Sequence, residues 1–294
     1  LNVLNTLNIL GLIRTESSAE NGGLAFPVLV GAAKPIMREL VTAEDVFGET
    51  GLGTHTSQTL PEIPQHTLAF VNESNRNSEC HFTTRMYKLF KSSDRKVNLI
   101  AIGPLTNIAL LLLNHPDVTD YIEKLVIMGG SYSFGNAGPL SEFNIHVDPE
   151  AASIVFNSFK RLKIYMVPLD VTDKSSATAG HLERIERLNT KFSHILVDLL
   201  NFYKHKINRD PPLHDPCAVA FVIDPTLFDY KLVRVEVSLG SKLSEGQTVC
   251  DFRNKLKLSD DQKNVHVCTN MNAEGFWTLM VDAIEKANKI THLK

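Results

Sequence analysis

The chain is 294 residues long, 43% apolar and 21% charged, with a net charge of −3. That length allows one large α/β domain with a sizeable core, and the composition is that of a globular protein. Mild acidity leaves no basic footprint for nucleic acid and no polybasic patch for a membrane surface, and purely apolar runs such as 108–113 are far too short to span a bilayer.

In chain order, "LNVLNTLNILGLI" (1–13) places Leu1, Leu4, Leu7, Leu10 and Ile13 one per helical turn, with no cap ahead and no signal-peptide pattern. Because the first residue is Leu and the helix starts uncapped, the expectation is a chain whose front end is missing. "FPVLVG" (26–31) reads as a buried strand, followed by a long loop, 32–65, that contains "FGETGLGTHT". "VNLIAIGPLTNIALLLLNHP" (97–116) is a strand, a turn at Gly103 and Pro104, then a helix that Pro116 ends. "KLVIMGGSYSFGNAG" (124–138) is a strand that breaks at Gly129 and Gly130 into a Gly/Ser/Asn loop.

The next stretch, "GPLSEFNIHVDPEAA" (138–152), alternates Glu142, Asn144, His146 and Asp148 with Phe143, Ile145 and Val147. In an extended segment the two sets point to opposite faces. Asp148 then reads as an N-cap with Pro149 at N1, opening a helix to about residue 160. "LKIYMVPL" (162–169) is another strand, and a long helix over 179–206 is closed by "NRDPP" (208–212). "LVRVEVSL" and "NVHVC" alternate as one-sided strands, and a helix over 273–288 carries Phe276, Met280 and Ile284 on one stripe.

Strand–helix alternation of this kind implies an α/β fold: an open, mostly parallel, Rossmann-like sheet with helices on both faces. No repeat, low-complexity tract or linker divides it, so residues 1–294 read as a single domain. Ligands in such sheets lie outside the carboxyl ends of the strands, which ranks the turns at 103–106, 129–136 and 170–173 first. No G-x-G-x-x-G and no G-x-x-x-x-G-K-[ST] occurs, so dinucleotide and P-loop readings lose their warrant.

Two segments carry candidate chemistry. The polar set at 136–144 is either the wet face of a surface strand or a group of short donors and acceptors, Asn136, Glu142 and Asn144, suited to a polyol such as a sugar. "LHDPCAVAFVIDP" (213–225) places His214 beside Asp215. Asp215 either caps the following helix with Pro216 at N1, or offers its carboxylate to a hard cation beside an imidazole that titrates near neutrality. At Asp170 and Asp173, turn-capping and ligation stand level. Scattered cysteines (Cys80, Cys217, Cys250, Cys268) form no C-x-x-C pair or zinc spacing, which favours a reduced, cytoplasmic setting.

In this order, "AIGPLTNIAL", "VIMGG", "GNAGPLSEFNIHVDPEAA", "PLDVT", "HDPCAVAFVIDP" and "GQTVCDFR" resemble the inosine–uridine-preferring nucleoside hydrolases over about residues 24–255. The resemblance implies water attack on the anomeric carbon of a ribonucleoside, giving ribose and free base, assisted by a tightly bound Ca²⁺. It implies Asp215 and the backbone carbonyl of Ile102 as calcium ligands. Asn144 would contact the 2′/3′-hydroxyl side, Asn136 and Glu142 the 5′-hydroxyl, with Met128 beside the sugar and Phe143 among the substrate-binding residues. His214 is similar to the family's proton donor to the departing base. The expected partners are a small ribonucleoside and further copies of the chain in a dimer or tetramer, with no nucleic acid or membrane.

One element of the family pattern is absent from these 294 residues: the D-x-D-x-x-x-D-D string that ends the family's first strand and supplies most calcium ligands; the "DD" at 260–261 lies in a polar loop. The first strand or strands are therefore expected to be missing, the calcium site incomplete and the chain as it stands inactive. A riboside-binding descendant without turnover is the alternative. Phe47, Asp173 and Ile207 also depart from common family residues, which leaves purine and pyrimidine preference open.

Overall fold

The computed structural model describes residues 28–48, 51 and 81–290. In chain order they form α1 (Glu44–Phe47), α2 (Phe82–Lys91), β1 (Val97–Ala101), α3 (Thr106–Asn114), β2 (Ile122–Met128), α4 (Phe143–Val147), α5 (Pro149–Phe156), β3 (Ile164–Val167), α6 (Leu169–Thr172) and α7 (Ala179–Glu186). There follow α8 (Lys191–Ile207), α9 (His214–Ile223), β4 (Phe228–Val233), β5 (Val235–Val237), β6 (Thr248–Cys250), β7 (Val265–Met271) and α10 (Ala273–Ile290).

The main sheet runs β1-β2-β3-β7-β4; the first four strands are parallel, and β4 closes one edge antiparallel to β7. β3 and the second half of β2 are apolar on both sides because both faces of the sheet are covered there. β2 sends Leu125 and Ile127 into one core and Val126 and Met128 into the other. β3 divides in the same way, Ile164 and Met166 against Tyr165 and Val167. Residues of α3 and α5 fill the first core, and residues of α7, α9 and α10 the second. The open, mostly parallel α/β sheet with helices on both faces is thus as expected.

Several local expectations fail. The segment 138–148 is not an extended strand: after Ser141 the chain turns into α4, whose N-cap is Glu142. The Glu142 carboxylate accepts from the Asn144 and Ile145 amides, and those bonds commit the next residues to a helix. Glu142, Asn144 and Ile145 are all buried, so the polar and apolar sets do not separate onto two faces. The single helix expected over 179–206 is two, because Asn189 adopts a left-handed φ of 50° and Thr190 starts α8 with a reciprocal capping box. The one-sided strand at 232–239 is split at Arg234 between the main sheet and the small β5–β6 sheet. There the buried Asn264 amide binds both the N–H and C=O of Val235, and the carbonyl of Phe156. Residues 28–31 of the expected strand at 26–31 carry no strand, while 26 and 27, the helix over 1–13 and most of the loop at 49–65 lie outside the described residues.

The Asp148–Pro149 start of α5 is as the sequence indicates. Asp148 accepts from the Ala151 amide, and its other oxygen takes the Thr106 hydroxyl at 2.6 Å and the Ile36 amide at 2.8 Å. No described helix is long and apolar enough to cross a membrane.

Candidate active site

The carboxyl end of β2 is where the chain concentrates buried polarity. β2 ends at Met128, and Gly130 turns the chain with a φ of 76°. A Cβ there would meet Met166 Sδ at 2.8 Å and Thr248 Oγ1 at 2.9 Å, so both conformation and space require glycine. The loop that follows folds back on itself: the amides of Asn136, Ala137 and Gly138 all point to the Ser141 carbonyl. Asn136 Oδ1 takes the Phe143 amide at 2.8 Å, which fixes the loop against α4. Asp170, on α6 just beyond β3, accepts from the Tyr132 amide at 2.9 Å and so ties this loop to the neighbouring strand end.

Glu142 lies at the centre. Its Oε2 accepts from Gly130 at 2.9 Å and Ile145 at 3.3 Å, and its Oε1 from Asn144 at 3.0 Å. Burial raises its pKa to about 7; the three backbone N–H groups pull the other way, and the charge of nearby Asp215 adds to the rise. Asn144 spends its amide on the Met128 carbonyl at 3.0 Å and the Met128 sulfur at 3.4 Å, leaving Oδ1 as the acceptor still unspent among the described residues.

His214 and Asp215 begin α9, which packs behind β1 and β2. The N-cap is Leu213, so Asp215 is inside the first turn and does not cap the helix. That expectation fails because Leu213, not Asp215, is where the chain enters helical geometry. Asp215 accepts no hydrogen bond from any described residue, and burial raises its pKa to about 6. His214 Nδ1 lies 2.7 Å from Thr172 Oγ1. Burial lowers the imidazole pKa to about 4, with Asp173 opposing and Arg209 reinforcing, so the ring is neutral at neutral pH rather than titrating there. Ile102 follows directly on β1 and is half exposed.

The structure thus joins Met128, Asn136, Glu142, Phe143 and Asn144 in one bonded network and brings Asp215 within electrostatic reach of Glu142. Other neighbours had no signal in spacing. Tyr203 of α8 senses the charges of Arg209, Asp173 and Asp215 and packs on Phe47 with ring centroids 5.4 Å apart. Thr172 was visible only as the last letter of "PLDVT". Among the described residues no three His, Cys, Asp or Glu side chains are grouped as a metal site. Ca²⁺ takes six to eight oxygens, so the described residues do not by themselves make a calcium site; Asp215 is suited to be one donor of it.

Polar side chains gathered at the carboxyl edge of an open, mostly parallel sheet, with Glu142 and Asn144 buried and His214 and Asp215 part-buried, place the chain in a class: α/β proteins of the kind whose ligand sites lie at that edge. A family profile described as inosine–uridine preferring nucleoside hydrolase matches residues 3–278. The chain belongs to that family. A probable ribonucleoside hydrolase of Dictyostelium discoideum is 37% identical over 304 residues, covering 100% of this chain and 83% of that protein. A pyrimidine-specific ribonucleoside hydrolase of Shigella boydii is 37% identical over 290 residues, covering 97% and 84%. Among solved structures, the purine-preferring ribonucleoside hydrolase from Gardnerella vaginalis superposes with a TM-score of 0.80 at 25% identity, covering 98% of this chain and 86% of that one.

Proposed function

We propose that this protein hydrolyses the N-glycosidic bond of ribonucleosides, releasing ribose and free base. The observation that carries the reading is the cluster at the carboxyl edge of the sheet of buried Glu142 and Asn144 with part-buried Asp215, in a chain of this family. Bond cleavage passes through an oxocarbenium-like state, so the site must grip the sugar hydroxyls and sustain positive charge on the ring while the base departs. Asn144 Oδ1 accepts from a sugar hydroxyl, and Asn136, whose Oδ1 is spent on Phe143, retains its NH₂ to donate toward the 5′ side. The second lone pair on Glu142 Oε1 is the remaining acceptor there. Asp215 is the carboxylate whose charge opposes the developing cation. His214, neutral at working pH, serves the departing base as an N–H hydrogen-bond donor.

Ca²⁺ assistance, with Asp215 as an oxygen donor and the Ile102 carbonyl beside it, belongs to the same proposal; a bound Ca²⁺ supplies Lewis acidity on the sugar side. The described residues by themselves supply too few oxygens to hold it. The assigned relatives include a pyrimidine-specific and a purine-preferring protein, so both base classes are substrates to test. Riboside binding without cleavage is the second reading, for which Asn144 Oδ1 and the Asn136 NH₂ suffice without a metal.

The test is release of free base and reducing sugar from inosine and from uridine, with calorimetric titration of each nucleoside in parallel. Turnover that Asn144→Ala lowers about ten-fold or more supports hydrolysis, since a buried polar contact to substrate is worth on the order of 1–3 kcal/mol. Saturable binding without base release supports the second reading. Neither turnover nor binding refutes both.

A further inference from the structure

The one hydrogen bond that His214 makes among the described residues is to Thr172. Thr172 is fully buried at the end of α6, the single turn that follows the carboxyl end of β3. Its hydroxyl is 2.7 Å from His214 Nδ1 and 3.4 Å from the Leu169 carbonyl three residues back. The pair is braced from both sides: Ser175 Oγ donates to the Thr172 carbonyl at 2.6 Å and takes the Leu213 amide at 2.8 Å. The segment before α9 and the end of α6 are therefore held together at the residues flanking this contact.

A neutral imidazole has one N–H and one bare nitrogen, and the partner of one nitrogen decides which is which. The Thr172 hydroxyl has a single hydrogen. Directed at Leu169, it makes only a long, weak bond and leaves Oγ1 to accept from an Nδ1–H; directed at Nδ1, the hydroxyl itself donates the short bond. In the second arrangement Nδ1 is the acceptor and Nε2 carries the hydrogen.

We propose that Thr172 is a positioning residue that donates its hydroxyl hydrogen to His214 Nδ1, fixing the ring and the Nε2–H tautomer so that this N–H is offered to the departing base. The assignment rests on the hydrolase reading for its purpose, though not for its geometry. It makes Thr172 matter through His214 alone: the hydroxyl never touches substrate. It also explains a threonine at a wholly buried position where valine has the same shape and no hydroxyl to satisfy.

Two variants test it, Thr172→Val, which removes the hydroxyl, and Thr172→Ser, which keeps it; thermal melts confirm that each is folded. Long-range proton–nitrogen correlation spectra of the ¹⁵N-labelled protein read the His214 tautomer directly. The wild type and Thr172→Ser are expected to show the Nε2–H form, and Thr172→Val a mixture of tautomers. In steady-state assays on inosine, Thr172→Val is expected to lose roughly ten-fold or more in kcat with KM nearly unchanged, and Thr172→Ser to restore most of it. A wild type in the Nδ1–H form, or a His214 tautomer unmoved by Thr172→Val, overturns the proposal. The spectra need no turnover, so a wild type that proves inactive removes the hydrolase reading while the tautomer result still decides the role of Thr172.

Discussion

Glu142 makes the fold's stability depend on pH in a direction opposite to that of most carboxylates. Its pKa rises from an ordinary 4.5 to about 7 on folding, chiefly through burial. The folded chain therefore binds this proton more tightly than the unfolded chain. The contribution is present in full below about pH 4.5 and is lost as pH rises through 7. At 1.36 kcal/mol per pKa unit, the loss is on the order of 3 kcal/mol between pH 5 and pH 8. Glu142→Gln removes the titration. It also places an amide NH₂ among three backbone N–H groups that need acceptors, a cost of its own that does not vary with pH. The informative quantity is thus the difference between the two proteins as pH changes. Urea unfolding of both, in calcium-free buffer with a chelator at pH 5, 6, 7 and 8, gives that difference. The wild-type advantage is expected to shrink by about 3 kcal/mol across the range. A difference that stays flat would refute both the perturbed pKa and the desolvated setting assigned to Glu142.

Three further outcomes are expected. His214→Ala should slow inosine hydrolysis by about 10²-fold or more, the low end of what a positioned donor contributes, while largely sparing p-nitrophenyl riboside, whose phenolate leaves unaided; equal loss on both substrates would show that His214 acts on the sugar side. Millimolar calcium should raise the melting temperature of the wild type by several degrees and that of Asp215→Asn far less, and an equal shift in both would remove Asp215 from the donor set. Asn264→Ala should cost about 2–3 kcal/mol in urea unfolding, because it orphans both buried backbone groups of Val235; a loss under about 0.5 kcal/mol would mean that water replaces the amide.

What the sequence disclosed was governed by short-range chemistry. Asp148–Pro149 is legible because an N-cap and a proline at N1 act within one turn, and the exit from β2 because two glycines end a strand. The misread stretch at 138–148 shows the limit. Five residues of α4 are too few for a helical period to outweigh an apparent alternation. What decides the matter is Glu142, held in place by a Gly130 amide twelve residues earlier. At 187–190 a signal was present, Asn189 followed by Thr190, a left-handed residue and a cap; it was overridden by the apolar periodicity on either side. Within the site, the motifs exposed Glu142, Asn144, His214 and Asp215. The 42-residue gap between Thr172 and His214, and the packing of Phe47 on Tyr203 across more than 150 positions, are set by how α6, α8 and α9 meet, which no spacing encodes.

Asp148 gives the molecule an internal order of assembly. Its bond to Ala151 closes a single helical turn, its bond to Thr106 spans 42 residues, and its bond to Ile36 spans 112. Loop-closure entropy makes the local contact form first and the most distant one last. The segment around Ile36, which Arg38 also ties to Glu150 and Glu245, is therefore expected to dock last, onto a carboxylate that α3 and α5 already orient. Sub-global openings of this kind have their own free energies, so the Ile36 amide proton is a reporter for the attachment of that segment, separate from the amides of β2 that report on the sheet.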